Sequence, residues 1–351
     1  MAEALLRVMP EVKPVFLCTT RPIDAAMLEP TGYRFFPQPI IPPKKSVGGL
    51  LRFWKSWRET KDLLSRLFDE HRPAAVIGLG GYAAGVAVKM GAQRGLPTLI
   101  LNPDVIPGKA NQYLMRHVRA VCCQFDATRN YCSSTNQSKL RFTGCPIRSD
   151  IARLPPEPEA LKRLGLESRL HTLVVTGASQ GAATVNEAVL ESLRSIKLQG
   201  WQILHLSGKE HAQAVREGYR ELKMPATVVD FTPAMADVWS VADLAISRSG
   251  ASSCAELTVC GVPSMLMPYP FHKDMHQRAN AQVLADARAA VLLDDEKDRK
   301  KNAARLLPAL ESLLYDAPKR HAMSTAARSL GRPDASEAVA KVVTELLDES
   351  R

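Results

Sequence analysis

The sequence has no long hydrophobic run. No apolar stretch reaches the ~18–20 residues that a membrane-spanning helix requires, so no transmembrane segment is expected. The opening segment Met1–Met9, MAEALLRVM, has no cationic start leading into an apolar stretch. It does not read as a secretory signal, and retention in the cytoplasm is the expectation. No C-x-x-C pair occurs among the seven cysteines, Cys18, Cys122, Cys123, Cys132, Cys145, Cys254 and Cys260. An odd count without metal-ligand spacing predicts free buried thiols, not a zinc site or a disulfide framework. Tandem repeats and low-complexity tracts are missing as well. Acidic residues are in deficit: 36 Asp and Glu stand against 46 Lys and Arg, a net charge of +10. That excess favours anionic partners, whether phosphates, an acidic membrane surface or nucleic acid. No helix-turn-helix, zinc or RNA-recognition signature supports nucleic acid, which is therefore set aside.

What the chain does have is 351 residues, 46% of them hydrophobic, enough for two domains with sizeable cores. Short β-branched runs alternate with helical patterns. Strands are expected at Val15–Thr19, Ala74–Leu79, Pro97–Leu101 and Ala120–Cys123, with helices at Val47–His71 and Tyr82–Arg94. The rhythm repeats with strands at Leu173–Thr176, Gln202–Leu206, Thr227–Phe231, Leu244–Ser247 and Ser264–Met267, and helices at Ala182–Lys197 and Ala251–Cys260. Such alternation predicts parallel sheets covered by helices on both faces. Pro-rich punctuation between Gly144 and Pro158 reads as a linker. The expected architecture is α/β: two doubly wound domains, 1–148 and 149–330, facing across a cleft, then a helical tail at 331–351. Ligands in such folds sit beyond the C-terminal ends of the strands.

Two strand–turn–helix loops are suited to an anion. In Val174-Val175-Thr176-Gly177-Ala178-Ser179-Gln180-Gly181-Ala182, glycines let the backbone approach a ligand, and a helix N-terminus offers unpaired N–H groups. An ordinary tight βα turn explains that segment equally well. Ser247-Arg248-Ser249-Gly250-Ala251-Ser252-Ser253-Cys254-Ala255-Glu256 repeats the arrangement, with Ser249 or Ser252 as a candidate helix cap. Its N–H groups suit a pyrophosphate, and Glu256 suits the two hydroxyls of a ribose, or simply the helix dipole. A third element, Pro268–Asn280, carries His276, Gln277 and Asn280, which suit sugar hydroxyls or an ordinary surface helix.

In this order the three segments resemble the bacterial MurG family, the transferases that move N-acetylglucosamine from its UDP ester to undecaprenyl-pyrophosphoryl-muramoyl-pentapeptide. The resemblance spans nearly the whole chain. Gly78-Leu79-Gly80-Gly81-Tyr82-Ala83-Ala84-Gly85 is similar to the family's G-x-G-G-Y-x-x-G loop, and Gly144-Cys145-Pro146-Ile147-Arg148 to its G-N-P-[VI]-R. Gly108 and Asn111 match the glycine and asparagine of its acceptor loop. The resemblance implies a GT-B fold and an inverting hexosyltransferase of peptidoglycan synthesis that needs no cofactor. It places Arg148, Ser179, Gln180, Gly181, Arg248 and Ser249 through Glu256 (Gly250, Ala251, Ser252, Ser253, Cys254 and Ala255 included) on the donor. It also places Thr232 at the uracil, and Gln277 with His276 at the sugar. Gly80, Gly81, Tyr82, Asp104 and Asn111 fall on the acceptor side. The D-x-D metal motif of the other major glycosyltransferase fold is absent, since no two aspartates have a single residue between them, and metal-independent chemistry is expected.

Three departures concern the acceptor side. The family's G-G-T-G-G-H segment and the strand before it have no counterpart, the chain starting beyond them, so exposed sheet edges and an impaired first domain are expected. The H-E-Q-N stretch is replaced by Leu101-Asn102-Pro103-Asp104, and the asparagine of G-N-P by Cys145. Asp104 is a candidate for the catalytic base, with a helix N-cap as its competing role. These changes leave open a different lipid acceptor, or a nucleotide-sugar-binding paralogue without transferase activity.

Lys44, Lys45, Arg52, Lys55 and Arg58 surround Leu50, Leu51, Phe53, Trp54 and Trp57. Leu50, Phe53, Trp54 and Trp57 share a helical face, which suits an interfacial helix on anionic lipid or, alternatively, the first domain's core. A peripheral protein on the cytoplasmic face of the cell membrane follows, with an undecaprenyl-linked acceptor and other cell-wall synthesis proteins as expected partners.

Overall fold

The computed structural model describes residues 1–177, 181–271 and 274–350. It divides into one unit of Met1–Pro146 with Asp334–Arg351 and a second of Ile147–Pro333. In the first unit, β1 (Val15–Thr19) and β2 (Arg34–Gln38) form a parallel pair. A separate parallel sheet runs in chain order through β3 (Val76–Gly78), β4 (Thr98–Asn102), β5 (Ala120–Cys123) and β6 (Leu140–Phe142). Among the described residues β1 and β3 each keep one unpaired edge. The Val47–His71 helix packs Leu64, Leu67 and Phe68 against Val76, Val86 and Ile100. The last helix, Ala335–Asp348, returns to this unit and buries Val339, Val343 and Leu346 against Leu99, Ala120, Ala4 and Leu5.

The second unit holds one six-stranded parallel sheet: β7 (His171–Thr176), β8 (Trp201–Leu206), β9 (Ala226–Val229), β10 (Leu244–Ser247), β11 (Ser264–Leu266) and β12 (Ala290–Leu292). Its order is β12-β11-β10-β7-β8-β9. The chain winds outward from β7 through β8 to β9, then restarts at β10 on the other side of β7. The switch point, where ligands gather in doubly wound sheets, lies between β7 and β10. Their apolar runs are buried because helices cover both faces. The Ala183–Ser192 and Arg299–Tyr315 helices seat Val185, Val189, Leu306 and Leu310 on Leu173, Val175 and Ile246.

Three strands were not expected. β2 contains Pro37, which argues against a strand except at an edge, where it lies. β6 and β12 span three residues each, too few to display a period. No helix among the described residues is long and apolar enough to cross a membrane. All seven cysteines are free, but Cys132 and Cys145 are only partly buried.

Candidate functional site

After β7, two positions admit only glycine. Gly181 has φ +74°, and a Cβ there would lie 2.1 Å from the Ser207 carbonyl oxygen. A Cβ on Gly177 would lie 2.2 Å from the Ala182 nitrogen. No other residue fits either place. Ser179 and Gln180, expected on the donor, lie outside the described residues. Beneath the loop a buried network fixes its landing. Asn186 Nδ2 donates to the Ser207 carbonyl at 3.0 Å, and Asn186 Oδ1 is 3.0 Å from His205 Nε2. His205 Nδ1 is 2.8 Å from the Tyr219 hydroxyl. Asn Oδ1 only accepts, so the proton sits on Nε2 and Tyr219 donates to Nδ1. Burial pushes His205 down to about 3 and keeps it neutral, and it raises Tyr219.

The loop after β10 meets the switch point from the other side. Gly250 is the N-cap of the Ala251–Cys260 helix, and no side chain caps it. This corrects the expectation of a serine cap: the Ser249 hydroxyl donates instead to the Gln277 carbonyl at 2.8 Å. Asn280, suited to a sugar hydroxyl or to a surface helix, is buried instead and donates to the Ser249 carbonyl. The N–H of Cys254 closes the first helical bond, to Gly250. The N–H groups of Ala251, Ser252 and Ser253 precede it, with no intrahelical carbonyl to receive them. The side chains of Cys254 and Ala255 are buried.

Arg248 is corrected too. Its guanidinium is buried, donating to the Met267 and Pro268 carbonyls, to Asp295 Oδ2 at 2.8 Å and to the Thr184 hydroxyl at 2.7 Å. Asp295 Oδ2 also accepts from Thr184, and Oδ1 from Asn302. Burial opposes the Asp295 charge, but the hydrogen bonds from Thr184, Asn302 and Arg248 outweigh it and hold its pKa below the usual value. Arg248 thus braces the loop from below, joining the ends of β10, β11 and β12 to the Ala183–Ser192 helix.

Glu256 lies in the second turn of its helix. Trp239 Nε1 donates to Glu256 Oε2 at 2.8 Å. Burial raises its pKa, against the lowering effects of that bond and of Arg148. Arg148 Nη1 donates to the Pro233 carbonyl at 2.6 Å, next to Thr232, whose hydroxyl accepts from the Ala234 N–H. Arg148 thus holds the Thr232–Pro233 segment, and Trp239 holds Glu256. Gln277 Oε1 accepts from the Tyr269 N–H, and His276 Nε2 sits 2.8 Å from Asp274. Trp239, Thr184 and Asp295 were missed in the sequence, where none of them belongs to a glycine-rich loop.

In the first unit, Gly80 and Gly81 take φ +96° and +73° ahead of the Ala84–Gln93 helix, and Tyr82 packs on the core. Asn111 is buried, donating to the Leu101 carbonyl and to Asn102 Oδ1. Asn102 Nδ2 donates to the Asp104 carbonyl at 2.7 Å. Asp104 caps no helix, because the next one starts at Lys109 behind Gly108.

The aromatic-basic helix splits differently from the expected face. Phe53 and Trp57 pack against the core, Trp57 over Gly85. Val47, Leu50, Leu51 and Trp54 form the exposed stripe, with Trp54 62% exposed. Lys44, Lys45, Arg52, Lys55 and Arg58 are exposed around it.

Two family models match the chain: the Glycosyltransferase family 28 N-terminal domain over residues 1–123 and its C-terminal domain over 172–339. The UDP-N-acetylglucosamine–N-acetylmuramyl-(pentapeptide) pyrophosphoryl-undecaprenol N-acetylglucosamine transferase of Bacillus licheniformis is 32% identical over 343 residues, 96% of this chain and 91% of the relative. The chain belongs to the MurG family. The Thermodesulfovibrio yellowstonii protein of that name is also 32% identical, covering 100% of the chain and 95% of its own length. Acinetobacter baumannii MurG superimposes with a TM-score of 0.76 at 24% identity, covering 98% of this chain and 95% of that one. Neisseria meningitidis UDP-GlcNAc 2-epimerase, solved with UDP-GlcNAc, gives 0.70 at 14% identity over 99% and 96% of the two chains. This MurG-family chain has the GT-B fold of two Rossmann-like α/β units.

Proposed function

We propose that this chain transfers N-acetylglucosamine from UDP-N-acetylglucosamine to the undecaprenyl-linked muramoyl-pentapeptide, converting lipid I to lipid II. The observation that carries this reading is the pair of strand–helix junctions flanking the switch point, in a chain that matches MurG transferases over more than nine-tenths of either length. The N–H groups of Ala251, Ser252 and Ser253 receive the diphosphate, aided by the helix dipole. Arg148 adds positive charge as the diphosphate leaves. Glu256 accepts the ribose hydroxyls, the backbone near Thr232 reads uracil, and Gln277 and His276 meet the sugar. Asp104 in the first unit takes the proton of the acceptor hydroxyl as it attacks the anomeric carbon with inversion. The absence of a D-x-D pair supports metal-independent chemistry. The exposed stripe with its five surrounding cations supports peripheral docking on anionic lipid at the cytoplasmic face, beside other cell-wall synthesis proteins.

The test is transfer of labelled N-acetylglucosamine to a detergent-solubilised undecaprenyl-linked acceptor in the presence of chelator. Lipid-linked disaccharide and UDP in equal amounts are expected. No transfer to that acceptor, with transfer to a diacylglycerol instead, would move the chain to another acceptor class. Unchanged turnover in Asp104→Asn would remove Asp104 as the base.

A further inference from the structure

Glu256 has two carboxylate oxygens, and the described residues hydrogen-bond only one. Oε2 accepts the indole N–H of Trp239 at 2.8 Å, and no described protein group hydrogen-bonds Oε1. Trp239 is itself fixed. It is 3% exposed, within the Met235–Ser240 helix that follows the loop carrying Thr232. The far side of that loop is tied by Arg148 at the Pro233 carbonyl. One short helix therefore joins the expected uracil-reading segment to the expected ribose-reading carboxylate.

We infer that Trp239 is a positioning residue: its N–H holds Glu256 Oε2 so that Oε1 points at the ribose hydroxyls, which sets the preference for ribonucleotide over deoxyribonucleotide donors. The inference rests on the proposed donor role of Glu256 and adds the residue that aims it. A carboxylate on a flexible side chain would otherwise swing among rotamers, and each ligand bond would carry the entropy of stopping it. A preset oxygen accepts the ribose without that ordering. Trp239 donates and never accepts, so it holds the ionised carboxylate and leaves Oε1 as an acceptor.

The groups that set this charge are few. Arg148 and Asp150 face Glu256 from the segment before and within the Ser149–Ala152 helix, and Cys260 lies one turn along its own helix. Asp237, on the same helix as Trp239, is bound by Arg163. Burial already raises the Glu256 pKa, and the Trp239 bond lowers it. Losing that bond raises it further, so a carboxylate-dependent affinity must then fail at a higher pH.

The experiment is calorimetric binding of UDP and 2′-deoxy-UDP to the full-length protein across a pH series, for wild type and Trp239→Phe. Wild type should prefer UDP, with affinity falling on the acid side. In Trp239→Phe the UDP affinity should drop about tenfold, as for a lost hydrogen bond to a charged group. The preference over 2′-deoxy-UDP should shrink and the acid limb should move to higher pH. A general packing defect would weaken both nucleotides equally and leave ratio and limb in place, which would overturn the inference. Failure of wild type to bind UDP at all would instead remove the donor reading, and this inference with it. A second measurement does not depend on Trp239→Phe folding. The ¹⁵N indole resonance of Trp239 should shift with pH in wild type as Glu256 titrates, and stay still in Glu256→Gln. A resonance indifferent to pH in both would contradict the coupling.

Discussion

The two units keep their charges in different places. In the second, Arg248 and Asp295 are sealed under the loops at the switch point, bound to each other, to Thr184 and to two carbonyls. In the first, Lys44, Lys45, Arg52, Lys55 and Arg58 stand exposed around an apolar stripe, and the loop after β4 is held by the neutral amides of Asn102 and Asn111. Buried charge held by several partners fixes geometry, as a small diphosphate ligand requires. Exposed charge on long side chains fixes little, but it adapts to a fluid anionic surface and is weakened by salt. On the proposed function, the same excess of cations serves positioning in one unit and adhesion in the other.

That contrast breaks most readily at Arg248. Arg248→Met should destabilise the second unit by about 3–5 kcal/mol in urea unfolding, because Asp295 is left charged and buried. Asp295 has a lowered native pKa, so its contribution is present above the usual aspartate value and is lost as pH falls through the native one. The acid dependence should therefore differ in the variant. Gly181→Ala should follow at about 2–3 kcal/mol, since a positive φ and a backbone clash cannot both be relieved. UDP binding should vanish with it.

His205 gives a smaller, pH-shaped effect. Its folded pKa is depressed to about 3, so the unfolded chain takes up a proton that the native state refuses. Stability should fall by about 1.4 kcal/mol per pH unit below roughly 6.5, and His205→Gln should remove that slope. The smallest stability effect belongs to the first unit's surface. Leu50→Glu with Trp54→Glu should change stability by no more than about 0.5 kcal/mol. The same pair should abolish flotation with anionic vesicles. Trp57→Glu should do the reverse, unfolding the first unit's core; equal behaviour of Trp54 and Trp57 would erase the distinction drawn between them.

Much of this was legible in the chain. The glycines at 177, 181, 80 and 81 announce turns because only glycine tolerates their backbone or their neighbours. The strand–helix rhythm announces parallel sheets. What stayed hidden depends on distance along the chain. Arg248 reads as a ligand cation until Asp295, 47 residues on, is seen to claim it. Trp239 belongs to no motif in the chain, and only the fold shows its N–H reaching Glu256, 17 residues on. The face of Leu50, Phe53, Trp54 and Trp57 on the Val47–His71 helix is split in the fold, Leu50 and Trp54 outward and Phe53 and Trp57 onto the core, which no period reveals.

The central claim is that the second unit holds the nucleotide between the Ala251–Ser253 amides and Glu256. Its most direct test is a crystal structure of the full-length protein with UDP. The account predicts diphosphate oxygens within hydrogen-bonding distance of those amides, and ribose hydroxyls on Glu256 Oε1 with Trp239 still on Oε2. UDP bound elsewhere, with those amides and that oxygen facing only solvent, would contradict it.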